Sequence, residues 1–99
     1  MNPEILFGQV WHALDGTRYL VVSSDAYNTA FGDRRVLAVE VDPRGGGAGT
    51  YREPVGAAGT AHLDRLGWVV RRRLATQVAE LPVGRHGHVA GVIRELIGN

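Results

Sequence analysis

Residues 34–42, with the sequence R-R-V-L-A-V-E-V-D, constrain the fold most strongly because their side chains alternate with the period of a β-strand. The side chains on one face are all branched and apolar: Leu37, Val39 and Val41. The opposite face ends in two carboxylates, Glu40 and Asp42, and Pro43 then stops the strand because proline has no N–H to donate. This segment is therefore predicted to be the best-defined strand of a sheet.

Five further extended segments flank this strand. They are predicted at residues 5–14, 18–23, 50–55, 61–70 and 74–81. Asp15-Gly16 predicts a tight hairpin turn between the first two, and Ser24 or Asp25 is expected to cap a short helical turn after the second. The glycine-rich residues 43–49 are predicted to form a flexible loop, because a phosphate-binding loop would need a following helix and a Lys-Ser/Thr pair.

The period of the apolar residues changes near the C-terminus. Five of them recur at the spacing of one helical face: Val89, Val92, Ile93, Leu96 and Ile97. This spacing predicts an amphipathic terminal helix. Together with the strands it indicates a mainly β (α+β) fold, namely a small antiparallel sheet or barrel of five to six strands with one C-terminal α-helix.

The length and composition restrict the class of protein. A chain of 99 residues predicts a single domain over residues 1–99, and an apolar fraction of 44% excludes a disordered chain. No segment is long and apolar enough to predict a membrane span, and the first residues lack the features of a signal peptide. The absence of cysteine excludes disulfides and thiolate chemistry. These features favour a cytoplasmic protein.

All 11 basic residues are arginine, so every cation carries a planar group that can bind phosphate in a bidentate manner. The net charge of +1 does not by itself indicate nucleic-acid binding. Arg18 lies at the start of a predicted strand and is either a phosphate ligand or a rim residue paired with a nearby acid. The run Arg71, Arg72 and Arg73 is either a solvated turn or a contact to a phosphate backbone.

Four segments resemble, in their order and spacing, the MazF/PemK/Kid toxins of bacterial type II toxin–antitoxin systems. They are G-Q-V-W at residues 8–11, G-T-R-Y-L-V-V-S-S-D-A-Y-N at 16–28, V-L-A-V-E-V-D-P at 36–43 and H-L-D-R-L-G-W-V-V-R-R-R-L at 62–74. The resemblance covers nearly the whole chain. It implies an SH3-like barrel with a C-terminal helix, and a sequence-specific endoribonuclease that cleaves single-stranded mRNA by attack of the ribose 2′-OH. It also implies a homodimer and a small acidic antitoxin as partner, with neither metal nor cofactor and no membrane.

The resemblance also implies a set of site residues. Arg18 would bind the cleaved phosphate, and His62 and Asp64 would transfer protons. These two are two positions apart on a predicted strand and so share a face, although His62 would equally serve as a rim histidine bonded to Asp64. Substrate contacts are expected from six further residues: Thr17, Asn28, Asp42, Trp68, Arg71 and Arg73.

Several positions differ from the family pattern. Tyr19 stands in place of a proline, Asp42 in place of a phosphate-binding threonine, and Gly67-Trp68 in place of an Arg-Thr pair. The short first loop is similar to that of the CcdB gyrase poisons, so a gyrase poison without catalysis and a barrel used for binding only are the alternatives. No tryptophan follows Trp68, although the gyrase contact of the CcdB toxins is a terminal Trp-Gly-Ile, and this favours the ribonuclease.

Two other groups of residues have simpler interpretations. Glu40 and Asp42 are expected to pair with arginines, of which Arg34, Arg35 and Arg18 are the candidates. His86 and His88 are not expected to bind zinc, because residues two positions apart do not share a helical face.

Overall fold

The computed structural model describes residues 4–98, which form six strands and two α-helices. The strands are β1 (Gln9–Ala13), β2 (Arg18–Val21), β3 (Arg35–Asp42), β4 (Arg52–Pro54), β5 (Thr60–Val70) and β6 (Leu74–Glu80). The helices are α1 (Asp25–Phe31) and α2 (Val83–Ile97), and two 3₁₀ turns lie at Gly56–Ala58 and Arg71–Arg73. Ser24 caps α1 by accepting a hydrogen bond from the N–H of Tyr27, as its sequence position predicts.

All six strands belong to one sheet with the order β4-β5-β3-β2-β1-β6, and every neighbouring pair is antiparallel. The predicted α+β fold, with a small antiparallel sheet and a C-terminal helix, is therefore confirmed. β3 lies between β5 and β2, and it carries apolar side chains on both faces because a hydrophobic core covers each face of the sheet.

Each face of the sheet covers its own hydrophobic core. The helix-side core contains residues from both the sheet and α2: Val10, Leu20, Val39, Val41, Ala61, Leu63, Val89 and Ile93. The far-side core contains the residues that alternate with them: Ile5, Trp11, Val21, Val36, Ala38, Val69 and Leu74. The alternation predicted for β3 thus assigns its residues to the two cores correctly.

The β1–β2 hairpin is one residue longer than the tight turn that Asp15-Gly16 suggests. The N–H of Ala13 donates to the carbonyl of Thr17, and the N–H of Gly16 donates back to Ala13. Three residues therefore form the loop, and Gly16 takes a φ of 89° that favours glycine. The longer loop shifts the register of the hairpin and pairs His12 with Arg18.

β4 is a short strand that two contacts hold in place. It pairs only with Thr60–His62 at the beginning of β5, so the second half of β5 lies at an edge of the sheet. The buried carboxylate of Glu53 accepts two hydrogen bonds of 2.8 Å from Arg85, which tie β4 to α2. Because Arg52 precedes Glu53, these bonds also fix the position of the Arg52 backbone.

The terminal helix packs on the sheet through the middle of its apolar face. Val89 and Ile93 are buried, whereas Leu96 and Ile97 at the end of the predicted stripe are exposed. Within the residues described, neither helix has the length and hydropathy that crossing a membrane would require.

Gly59 immediately precedes β5 and packs against the backbone of Asp42 at the end of β3. Its φ is 121°, and a Cβ atom there would overlap the carbonyl oxygen of Asp42. We expect Gly59→Ala to lower the free energy of unfolding by about 3 kcal/mol, because both backbone strain and this overlap must be relieved. Thermal or urea unfolding measures the effect.

Gly84→Ala is the matched control, since Gly84 lies in α2 and an added Cβ meets no atom within 4 Å. Its stability is expected to be unchanged or slightly higher. Equal stabilities of the two variants would contradict the role given to Gly59.

Candidate functional site

A polar cleft lies where β4, β5 and the glycine-rich loop meet. It has a volume of about 430 Å³, and its walls include His62, Asp64, Arg52 and Arg65. The structure thus brings the two predicted proton-transfer residues together and adds two cations beside them. We call this site the β4–β5 cleft.

The side chain of His62 is mostly buried, and one of its ring nitrogens makes no hydrogen bond to the described part of the chain. Its Nε2 atom lies 3.8 Å from Oδ2 of Asp42, which is too long for a hydrogen bond, and it has no hydrogen-bond partner among residues 4–98. A buried ring nitrogen without a partner costs free energy, and this nitrogen has almost no surface accessible to solvent.

Asp42 is held by a neighbour in sequence. One of its carboxylate oxygens accepts from the backbone N–H of Arg44 at 2.9 Å and from Nε of the same residue at 3.4 Å. The backbone hydrogen bond is the main reason why the pKa of Asp42 lies below its ordinary value, so the group is ionised at neutral pH. An ionised carboxylate thus lies beside the imidazole of His62 without a hydrogen bond to it.

The prediction that Glu40 and Asp42 pair with Arg34, Arg35 or Arg18 was wrong. Asp42 pairs with Arg44, and Glu40 lies 3.9 Å from Arg65 on the neighbouring strand. Glu40 meets Arg65 because of the β3–β5 register, which no local sequence pattern reveals, whereas Arg44 is only two residues from Asp42 and was overlooked.

Arg52 and Arg65 are the cleft residues that sequence reasoning missed. Arg65 follows Asp64 directly, so its place near the site was visible in the sequence. Arg52 reaches the cleft because it stands opposite His62 in the β4–β5 ladder. That pairing joins segments on either side of a glycine-containing turn, and it is known only once the register is known.

Arg18 lies on the other face of the sheet. It stands opposite Val41, which in turn stands opposite Ala61, and residues directly opposite each other in a sheet share a face. Val41 and Ala61 belong to the helix-side core. His62 follows Ala61 and therefore projects to the far side. The sheet separates Arg18 from the β4–β5 cleft.

The guanidinium of Arg18 is engaged within the protein. Its Nε donates to Nε2 of His12 at 3.0 Å, and one terminal nitrogen donates to the carbonyl of Ala58 at 2.7 Å. A small cavity of about 140 Å³ adjoins these residues and Val78. The contact between His12 and Arg18 was not predicted, because a two-residue β1–β2 turn would place Ala13 opposite Arg18.

Asn28 is buried and does not line the β4–β5 cleft. Its amide oxygen accepts from the hydroxyl of Ser23, and its amide nitrogen donates to the carbonyl of the same residue at 3.0 Å. The Ser23 hydroxyl also accepts from the N–H of Leu37. Asn28 thereby joins α1 to β3, and we leave it out of the site.

Thr17 and Arg73 lie together at the β1–β2 turn. One carboxylate oxygen of Asp15 accepts from the N–H of Thr17 at 3.0 Å, and the other accepts from Arg73 at 2.9 Å. The bond from Thr17 is the main cause of the lowered pKa of Asp15. Neither residue adjoins the β4–β5 cleft.

The two remaining candidates are an arginine and a tryptophan with aromatic contacts. The guanidinium of Arg71 lies 4.9 Å from the ring centre of the buried Trp11 and donates to the carbonyl of Leu74. Arg71 is thus part of the fold. Trp68 is 57% exposed and lies next to Arg35 at the sheet edge.

Comparison with solved structures assigns the fold. The chain is similar to an endoribonuclease from a mycobacterial species, with a TM-score of 0.75 and 18% identity over 97% of this chain and 93% of that one. It is also similar to MazE–MazF crystal structures from Deinococcus radiodurans. Form I has a TM-score of 0.74 and 24% sequence identity, covering 99% of this chain and 100% of that chain. Form III has a TM-score of 0.70 and 27% sequence identity, covering 99% of this chain and 98% of that chain.

These matches confirm the resemblance to MazF that the motifs indicate, and the chain is MazF-like in fold along its length. No protein-family model matches the sequence, and no curated protein sequence is similar enough to count as a relative.

Replacing Asn28 separates a structural role from a substrate-binding role. We expect Asn28→Ala to lower the free energy of unfolding by about 2 kcal/mol, because the partner groups of Ser23 would stay buried without their hydrogen bonds. Thr29→Ala, at an exposed neighbouring position of α1, is the control and should change stability little. A variant of Asn28 that keeps full stability but loses RNA binding would contradict this assignment.

Proposed function

We propose that this protein is the toxin of a type II toxin–antitoxin system and a metal-independent, sequence-specific endoribonuclease that cleaves single-stranded mRNA. The observation that carries the proposal is the likeness of nearly the whole chain to structures named as an endoribonuclease and as MazF. The β4–β5 cleft supports it, because a histidine, a carboxylate and two arginines are the groups that this chemistry needs.

The proposed reaction is an internal transfer at phosphorus. Asp64 accepts the proton of the ribose 2′-OH, and the 2′-oxygen forms a bond to the adjacent phosphorus. The bond to the 5′-oxygen of the next nucleotide breaks, and His62 donates the proton that this leaving oxygen needs. The products are a 2′,3′-cyclic phosphate and a 5′-hydroxyl, so atoms and electrons balance without a metal.

The phosphate charge is proposed to be stabilised by Arg52 and Arg65. Both line the cleft with His62 and Asp64, whereas Arg18 lies across the sheet. A guanidinium binds phosphate oxygens in pairs, and its charge persists through the reaction. We therefore assign phosphate binding to Arg52 and Arg65 in place of Arg18. The His12–Arg18 pair is the second candidate for the site of cleavage.

We propose the same partners as the resemblance implies: a second copy of the chain, single-stranded RNA and a small acidic antitoxin in the cytoplasm. The endoribonuclease structure with its cognate antitoxin and the MazE–MazF complexes support an antitoxin partner. An acidic segment also complements the arginines of the cleft.

Cleavage of a long single-stranded RNA by the purified protein in EDTA tests the proposal. We expect cuts at a short consensus sequence, with 2′,3′-cyclic phosphate and 5′-hydroxyl ends identified by end-group mapping. Intact RNA in the absence of bound antitoxin would reject the ribonuclease, and inhibition of gyrase supercoiling would then favour the gyrase-poison alternative. Inactivity in both assays would leave a barrel used for binding only.

The cleft variants give a further prediction. His62→Gln and Asp64→Asn should each lower the cleavage rate by about 100-fold or more, because each removes one proton-transfer group. Initial rates of RNA cleavage in EDTA, with folding checked by thermal unfolding, measure the effect.

Arginine variants distinguish the two candidate centres. Arg52→Gln should lower the rate by about tenfold or more, whereas the exposed Arg94→Gln of α2 is the control and should be unaffected. Arg18→Gln should retain most activity if its fold is intact by thermal unfolding. Loss of activity in Arg18→Gln but not in Arg52→Gln would move the reaction to the His12–Arg18 pair.

A further inference from the structure

The second half of β5 presents an open strand edge. β3 pairs along one side of it, and β4 pairs only with Thr60–His62, so no described residue pairs with the outer side of residues 66–70. These residues, which we call the β5 edge, have the sequence L-G-W-V-V and contain neither a charge nor a proline. Sheets usually protect such an edge with charges, prolines or a covering segment, so an unprotected apolar edge indicates a surface for another chain.

Alternate backbone groups of the β5 edge point away from the sheet. In an antiparallel ladder, the N–H and C=O groups of successive residues point to opposite sides of the strand. The N–H of Arg71 donates to the carbonyl of Arg34, which immediately precedes β3, so positions 67 and 69 also bond towards β3. The groups that point outward, and that pair with none of the described residues, are those of Leu66, Trp68 and Val70.

The hydrogen bonds of β3 support this assignment independently. The carbonyl of Leu37 accepts from the N–H groups of Val22 and Ser23 at 2.9 and 3.1 Å, on the side of β2. Leu37 stands opposite Trp68, so it turns its backbone groups away from β5 at this pair. The N–H and C=O of Trp68 are therefore available to an additional strand.

The helix-side face of the β5 edge is apolar. Trp68 and Val70 are exposed and project to this face, because they stand opposite Leu37 and Arg35. The guanidinium of Arg35 lies 5.2 Å from the ring centre of Trp68, and the ring of Tyr27 lies 5.5 Å away. These contacts hold the indole ring in place, so a partner strand that packs against it loses little side-chain entropy.

The far-side face of the same edge has room for a side chain. Gly67 stands opposite Ala38 of the far-side core, and a Cβ atom added at Gly67 meets no other atom within 4 Å. A groove of about 310 Å³ lies beside it, and Tyr19 and Val69 are among the residues that line this groove. A strand placed along β5 would alternate its side chains between this groove and the opposite face, where Trp68 projects.

The charges around the β5 edge favour an acidic partner. Arg65 precedes the edge, Arg72 follows it and Arg35 lies beside Trp68, and all three side chains are exposed. The acidic neighbours are Asp64 and Glu40, and Glu40 already lies 3.9 Å from Arg65. Positive charge is therefore in excess here, and it attracts a segment that carries carboxylates.

The same arginines disfavour a second copy of the chain at this edge. If two β5 edges paired antiparallel about Trp68, Arg65 of each copy would stand opposite Arg71 of the other. Like charges directly opposite each other in a sheet are destabilising. An acidic peptide avoids this repulsion.

We propose that the β5 edge binds an extended, acidic segment of a partner protein as an additional strand. Its backbone would exchange hydrogen bonds with Leu66, Trp68 and Val70, and its alternate side chains would pack on the two faces described above. This binding does not depend on the ribonuclease activity. Only the assignment of the segment to the antitoxin rests on the function proposed above.

Amide hydrogen exchange of the wild-type protein, followed by NMR, tests the proposal. The probes are the synthetic peptides E-E-V-T-V-T-V-E-E and K-K-V-T-V-T-V-K-K. The amides of Leu66, Trp68 and Val70 should exchange rapidly in the free protein and about tenfold or more slowly with the acidic peptide, because new hydrogen bonds protect them. The intervening amides already bond to β3 and should change little. The acidic peptide should bind about fivefold or more tightly than the basic one.

Val70→Pro removes one outward N–H without breaking a bond to β3. The backbone of Val70 has a φ of −68°, which proline adopts, so the melting temperature should be retained. Binding of the acidic peptide should weaken by about tenfold, whereas the matched control Val70→Thr keeps the N–H and should bind as the wild type does. Arg35→Gln should reduce the preference for the acidic peptide, and the control Arg94→Gln in α2 should not.

Three results would overturn the proposal, and the exchange measurement decides even if Val70→Pro does not fold. One is unchanged exchange at Leu66, Trp68 and Val70 with the acidic peptide at millimolar concentration. Another is slow exchange of these amides in the free protein, which would show that a second copy of the chain covers the edge. The third is quenching of the exposed Trp68 by 2′-O-methylated RNA but not by the acidic peptide, which would assign this surface to RNA.

Cleavage of long RNA distinguishes this proposal from the ribonuclease. Wild-type cleavage without any protection of the β5 edge by the acidic peptide would reject the peptide site and leave the ribonuclease intact. Protection of alternate amides without any cleavage would support the peptide site and contradict the ribonuclease.

Discussion

The register between β3 and β5 determines which residues can act together. Val39 pairs with Leu66 and Val41 pairs with Ala61, so the intervening residues of β5 bulge and the strand changes the face that it presents. Ala61 and Leu63 enter the helix-side core, and His62 is turned to the opposite side.

The cleft combines opposite charges in a way that suits proton transfer beside a phosphate. Asp42 is occupied by Arg44, so the acid that replaces the family's threonine does not confront the substrate as a free carboxylate. Asp64 remains exposed, and Arg52 and Arg65 supply the positive charge. We propose that the groups of the β4–β5 cleft replace those of the family pattern in the same reaction.

Local patterns predicted the elements of this fold but not the relations between them. The alternation of β3, the cap at Ser24 and the helical period around Val89 are properties of neighbouring residues, and each was correct. The partners of Arg18 depend on a hairpin loop that is one residue longer than expected. The place of Arg52 depends on the register of the β4–β5 hairpin, which no local sequence pattern specifies. The sequence therefore placed His62 and Asp64 together but did not indicate that Arg52 lies beside them.

The central claim is that RNA binds at the β4–β5 cleft and not at the Arg18 side of the sheet. NMR of the histidine side chains tests it most directly, because His12 and His62 report on the two faces and His86 and His88 lie in α2. With a 2′-O-methylated RNA bound, the imidazole signals of His62 should shift and those of His12 should not. A shift of His12 alone would contradict the account.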